Sequence, residues 1–384
     1  MVTIMKTPDF DARMNYPELE RVRAEIREFL ANDPALAKPR ADSWSHFDAA
    51  FSGRLGRAGY IGMTWPKRYG GSERNSLERY VVIEELLAAG APAAAHWIAD
   101  RQTGPQLLRF GTEEQRERLL PAIARGECFC SIGMSEPDSG SDLASVRTRA
   151  TRSGDGWLIN GRKIWTSYAH QSHYVLMLCR TSENPAARQQ GLSQLLVPLD
   201  SPGLTSRPII NMAGAHDFNE LLFEDVHVPA DALLGREGAG WEQVISELAF
   251  ERSGPERFLS SFVLLEAFAE MARQEPSAES ATLIGSMISR LVPLRGMSMS
   301  IAARLGKGES PNFEAALVKE MGSLFEQDVG DKLLGEIVPS ADPTSENRFS
   351  RLLAEAVLHA PSFSIRGGTR EILRGIIARD LGLR

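Results

Sequence analysis

Glu251 is the residue in this chain most able to do acid–base chemistry. It lies in Leu248-Ala249-Phe250-Glu251-Arg252, seven residues beyond Val244. Seven residues are about two helical turns, so both fall on one apolar stripe. A carboxylate there has two readings. It is a buried partner for Arg252 or another arginine, or it is a base whose proton affinity is raised by desolvation. Pro255 follows, with no N–H to give to the carbonyl of residue 251. Its ring crowds that carbonyl and predicts a kink beside Glu251. A second stretch, Ser131 to Asp142, is crowded with glycines and hydroxyls. Backbone amides there can approach a ligand closely, and Ser135, Ser139 and Ser141 add donors. Gly367-Gly368 before Thr369 would leave free amides at a helix start, which suits an anionic or carbonyl partner. His170 and His173 have H-x-x-H spacing, but no third ligand stands nearby, so they read as structural and no metal is expected.

These residues need elements to hold them. Apolar periodicity predicts helices over 16–30, 49–58, 76–90, 93–109 and 112–120. Ser76 is the expected N-cap of the third, and Thr112 with Gln115 forms a capping-box pattern. From Cys128 the period changes. Strands are expected over 145–152, 157–160, 173–180, 192–199 and 219–228, a small barrel or sandwich. Helices resume over 241–271, 277–304 (interrupted at Pro293), 313–334 and 350–358, with a terminal helix ending at Gly382. The fold class is therefore mainly α with a central β-domain.

Composition excludes several functions. Net charge is -7, from 43 basic and 50 acidic residues, so neither nucleic acid nor an anionic membrane is an expected partner. Three cysteines, Cys128, Cys130 and Cys179, argue against a disulfide framework and fit a reducing compartment. No signal-peptide pattern opens the chain and no window is long and apolar enough to span a bilayer, so a cytoplasmic location is expected.

Five ordered motifs resemble the acyl-CoA dehydrogenase family. They are Gly111 with Thr112-Glu113-Glu114-Gln115, Met134-Ser135-Glu136-Pro137 with Gly140-Ser141-Asp142, Asn160-Gly161 with Lys163 and Trp165, Leu248 to Arg252, and Gly368-Thr369 with Glu371-Ile372. The resemblance implies an N-terminal helical domain (1–128), a central β-domain (129–236) and a C-terminal four-helix bundle (237–384). It implies FAD, with Ile132, Gly133, Met134 and Ser135 on the isoalloxazine and Trp165, Thr166 and Ser167 on its other parts. Ser141 would meet the pantetheine of the acyl-CoA substrate; Gly368, Thr369 and Glu371 would reach FAD, in the family often across a subunit boundary. Arg252 would also be substrate-binding. Many members carry the base in a Tyr-Glu-Gly-Thr motif, which here reads Arg366-Gly367-Gly368-Thr369. A second branch carries it in Leu-x-x-Glu-Arg, and that match assigns the base to Glu251. The implied reaction is α,β-dehydrogenation, with electrons passed to an electron-transfer flavoprotein. His96, Trp97, Asp100 and Gln102, in the segment that lines the acyl pocket of relatives, point to a branched or bulky acyl group. The implied assembly is a homo-oligomer, dimer or tetramer, or a heteromer with a related subunit. The alternatives are a flavin oxidase or monooxygenase on this fold, or a non-catalytic partner subunit.

Overall fold

The computed structural model describes residues 7–11, 16–182, 188–336 and 341–383, without the side chains of 247–251 and 336. Helix α1 (Glu20–Ala31) buries Val22, Ile26 and Leu30 along one stripe. Helix α2 (Ala49–Arg57) starts at Asp48, whose carboxylate accepts from the Phe51 amide. Helix α3 (Ser76–Ala88) is capped by Asn75 rather than Ser76. The Asn75 side chain accepts from the Leu77 and Glu78 amides, and Glu78 returns a bond to the Asn75 N–H. Asn75 takes the extended backbone a cap needs, while Ser76 is already helical. The expected helix over 93–109 is α4 (Ala94–Ile98), a π-turn over Ala99–Thr103, and α5 (Gly104–Phe110). Helix α6 (Glu113–Ala124) opens with the Thr112–Gln115 capping box. It does not stop at Pro121 but runs through it, ending just before Gly126 at φ 68°. The ring removes one hydrogen bond, which the last turn survives.

Among the described residues seven strands follow: β1 (Cys130–Gly133), β2 (Arg149–Ser153), β3 (Gly156–Ser167), β4 (Tyr174–Arg180), β5 (Leu192–Pro198), β6 (Leu204–Ile209) and β7 (Phe218–Pro229). They form one curled sheet in the order β1-β4-β2-β3-β7-β6, with β5 on β4. Strand β6 was not expected. It is an exposed edge strand with Arg207 and Pro208, so it lacks the apolar alternation that marks a strand. Between the sheet's layers lie Trp157, Ile159, Val175, Met177, Leu195, Val197, Leu221 and Phe223.

Helices α7 (Gly240–Ser253), α8 (Phe262–Gln274), α9 (Ala278–Gly306), α10 (Asn312–Glu336), α11 (Arg348–Phe363) and α12 (Arg370–Asp380) complete the chain. Two further proline expectations are corrected. Pro255 does not kink one long helix; it ends it. Gly254 is extended (φ -75°, ψ 168°), and Pro255–Arg257 forms a separate 3-10 turn. A proline drives the residue before it out of the helical region, and glycine yields easily. Pro293, by contrast, lies inside an unbroken α9, whose flanking Leu291 and Leu294 are buried.

The chain forms two compact units. One comprises Phe47–Glu73 and Ala93–Glu247 and contains the sheet. The other comprises Met1–His46, Arg74–Pro92 and Leu248–Arg384. In this helical unit α10 packs on α9, α11 and α12. Glu84 of α3 joins α1 to α9, accepting from Arg23 at 2.9 Å and from Arg295 at 2.5 Å. Among the described residues no helix is long and apolar enough to cross a membrane.

Candidate active site

Two groups of side chains carry the sequence-predicted residues, one in each unit. In the sheet unit, Ile132 and Gly133 end β1, paired in parallel with Leu176 and Met177 of β4. Strand β3 runs beside the loop that follows. The Ile164 amide donates to the Ser135 carbonyl at 3.0 Å, and the Lys163 ammonium donates to the Met134 carbonyl at 3.0 Å. The Ser131 hydroxyl donates to the Ser167 carbonyl at 2.8 Å. Ile132–Ser135 and Trp165–Ser167 are therefore brought together.

Lys163 is fully buried, and its ammonium stands 2.9 Å from Glu136. Glu136 also accepts from the Arg147 amide at 2.7 Å and the Thr148 amide at 2.9 Å. Burial opposes its charge, but Lys163 and these bonds outweigh burial and hold the carboxyl below the ordinary glutamate value. Burial dominates at Lys163, which is held below the usual lysine value. Neither residue was assigned a site role from sequence. The signal was present: alternation from Trp157 and Ile159 carries on to Lys163, an inward position where a lysine needs a partner.

Beyond Lys163 the β3–β7 register shifts, from Lys163 opposite Leu221 to Thr166 opposite Asn219. This bulge turns Trp165 outward at φ 60°, where it is 56% exposed and meets the Phe218 ring edge-on. The next residue, Thr166, is fully buried, and its hydroxyl has no hydrogen-bond partner among the described residues. Such a group invites a polar ligand. Ser141 stands apart, exposed in the loop after Glu136.

The segment from α4 to α5 uses its polar side chains internally. His96 Nδ1 lies 2.8 Å from the Ser52 hydroxyl, and Asp100 accepts from the Gly62 amide at 2.7 Å. The Arg101 guanidinium lies over the Trp97 ring. The π-turn at Ala99–Thr103 is a distortion that recurs at functional sites.

In the helical unit, Arg252 is buried and donates through Nε to the Gly367 carbonyl at 3.1 Å. Gly367 and Gly368 are both left-handed, at φ 74° and 97°. A Cβ on Gly368 would lie 3.2 Å from the Arg252 guanidinium. Thr369 stands at the N-cap position of α12 without a side-chain cap bond, and the exposed Glu371 follows in the first turn. Its own backbone N–H and the Thr369 hydroxyl hold the Glu371 carboxyl below the ordinary value. The turn is anchored from α10, where Lys319 and Ser323 donate to the Phe363 carbonyl at 2.5 and 2.9 Å. Glu251 lies in the last turn of α7; its side chain is outside the described residues. Among the described residues no three His, Cys, Asp or Glu are grouped to hold a metal.

Comparison with known proteins agrees with this architecture. The acyl-CoA dehydrogenase N-terminal domain model matches residues 16–127, and the middle domain model matches 131–226. The acyl-CoA dehydrogenase IpdE1 of Mycobacterium tuberculosis is 34% identical over 381 residues, covering 95% of this chain and 98% of its own. FadE29 of the same organism is 32% identical, over 94% and 96%. Among solved structures, the Tcur3481-Tcur3483 steroid ACAD superimposes with a TM-score of 0.86 at 28% identity, covering 97% of this chain and 98% of that one. The ChsE4-ChsE5 complex from Mycobacterium tuberculosis superimposes with a TM-score of 0.82 at 29% identity, over 97% and 99%. This chain belongs to the acyl-CoA dehydrogenase family of FAD-dependent oxidoreductases acting on CH–CH groups.

Proposed function

We propose that this chain binds FAD and introduces an α,β double bond into a bulky acyl-CoA thioester, with Glu251 as the base. The observation that carries the reading is the β3 bulge: a buried Thr166 hydroxyl, without a hydrogen-bond partner among the described residues, beside an outward Trp165, tied through Ile164 to the Ser135 carbonyl. An aromatic face and a waiting hydroxyl beside a strand end fit a flat heteroaromatic ring with polar edges. Ile132, Gly133, Met134, Ser135, Trp165, Thr166 and Ser167 would hold FAD, with Gly368, Thr369 and Glu371 as a second set. FAD, when bound, supplies the hydride acceptor.

The chain's own residues do the rest. Glu251 takes the α-proton of the thioester. Gly367 offers no carboxylate, and its left-handed backbone suits glycine best, so the base is not duplicated there. Backbone donors at the thioester oxygen stabilise the charge that develops as the proton leaves. Arg252, fixed on the Gly367 carbonyl, shapes the turn beside the base. Ser141, exposed and flanked by small residues, would meet the pantetheine arm.

Similarity to a steroid ACAD supports a polycyclic acyl group. Similarity to the ChsE4-ChsE5 complex supports assembly with a related subunit. An electron-transfer flavoprotein is the proposed electron acceptor, and the three-part division at 128 and 236 the proposed domain order. The test is Glu251→Gln. Purified alone or with its partner subunit, the variant should stay yellow, while anaerobic flavin bleaching by a steroid-side-chain acyl-CoA slows by at least ~100-fold. Bleaching at the wild-type rate would remove Glu251 from the mechanism.

A further inference from the structure

Behind the bulge of β3 lies a buried amide that no part of the proposed reaction uses. Asn219, in β7, is fully buried, and all of its hydrogen-bonding capacity is engaged. Its Nδ2 donates to the Thr166 carbonyl at 3.1 Å and lies 3.1 Å from His170 Nδ1. Its Oδ1 accepts from the Ser206 hydroxyl at 3.2 Å and stands 2.8 Å from His216 Nε2. The two imidazoles stack, with centroids 3.7 Å apart and planes 11° apart.

Donor counting assigns the protons. Oδ1 faces two donors, so His216 presents Nε2–H. Both Nδ2 hydrogens are engaged, so His170 Nδ1 must be a bare acceptor and His170 must be neutral. Its Nε2 then carries the proton, and the exposed Gln171 amide, whose nitrogen stands 3.0 Å away, receives it with its oxygen turned toward the ring.

We propose that Asn219, locked by neutral His170 and by His216, is a positioning group that holds the Thr166 segment in its FAD-binding shape, and that protonation of His170 releases it. A proton on Nδ1 would oppose the Nδ2–H. The amide can relieve this only by turning over, which sets its oxygen against the Thr166 carbonyl. The bulge then loses the side-chain hydrogen bond that β7 gives it, and the Thr166 hydroxyl loses its aim. The ionisable groups around the pair are few. Asp217 is engaged by the Tyr168 hydroxyl at 3.1 Å and the Asn211 amide at 2.6 Å. His170 and Ser206 also line a cavity of about 710 Å³ with Arg118, His173 and Asp200, which gives His170 access to solvent protons. Burial, then the neighbouring His216, hold His170 below the ordinary histidine value. Release therefore belongs below about pH 6.5.

This rests on the FAD reading, and the test separates the two. The FAD dissociation constant and visible spectrum are measured on stripped, refilled protein between pH 7.5 and 5.5, with FAD alone as the probe and far-UV circular dichroism as the fold control. Wild type should bind FAD at pH 7.5 and weaken about five- to tenfold on acidification, the scale of one buried hydrogen bond. His170→Gln, which offers an acceptor that does not titrate, should change less than about twofold over that range. Asn219→Asp keeps Oδ1 but loses both donors. It should weaken FAD by about five- to tenfold at pH 7.5, with an altered flavin spectrum. Acid weakening equal in wild type and His170→Gln, or wild-type affinity in a folded Asn219→Asp, overturns the proposal with the FAD reading intact. A wild-type chain that takes up no FAD overturns both.

Discussion

The group around β3 and the turn at Gly367 hold their residues by different means. Around β3 the hold comes from side chains: Lys163 on Met134 and Glu136, Asn219 on Thr166, Ser131 on Ser167. At Gly367 the backbone does more of it: two successive left-handed residues, with the Arg252 guanidinium on the Gly367 carbonyl and Lys319 and Ser323 on the Phe363 carbonyl behind them. Buried polar ties are costly to break singly, because the surviving partner keeps its desolvation cost. A backbone turn is weakened gradually, by whatever side chain enters it. The first device suits a surface that must match a rigid ring. The second keeps two glycines, and so no carboxylate, at 367 and 368.

Substitutions that break this contrast fall in a definite order. Lys163→Met strands Glu136 without its cation and should cost about 3–5 kcal/mol, read as a lower urea midpoint at unchanged slope. A loss under ~1 kcal/mol would mean the pair is not holding the strand. Gly368→Ala comes next. At φ 97°, and with its Cβ 3.2 Å from Arg252, it should cost about 1–2 kcal/mol in the same titration. Thr166→Val is smaller and more selective. Apo stability should hold within ~0.5 kcal/mol, since no partner is lost, while FAD affinity falls about fivefold. Equal loss with and without FAD would place the hydroxyl in the fold instead. The smallest effect is a pH dependence. Glu136 has a depressed carboxyl pKa, so its contribution is complete above the ordinary glutamate range and is lost as pH falls through the lowered value, beneath that range. Melts of wild type and Glu136→Gln should therefore converge on acidification; a gap that stays constant from pH 7 to 3 contradicts this.

Much of the architecture could be read in the sequence because it is local. The α1 stripe and the Thr112–Gln115 box depend on spacings of three and four residues and were found as expected. Proline was read less well. Pro121 and Pro293 sit inside helices, whereas Pro255 begins a new turn. One residue type gave different outcomes because packing on either side, which no local rule contains, decides whether a helix resumes. Strand β6 escaped for a related reason. An edge strand is paid in hydrogen bonds to β7, so its side chains need show no apolar pattern.

The candidate site divides the same way. Sequence alone determined which residue types were available: a carboxylate on an apolar stripe at Glu251, glycines at 367 and 368, and a hydroxyl-rich stretch before Asp142. Spacing along one helix or one loop is enough to see these. Only the tertiary structure decided that Lys163 answers Glu136 across 27 residues and that Asn219 answers Thr166 across 53. A buried donor takes whichever acceptor the fold brings within about 3 Å, and strand register, not sequence distance, selects it.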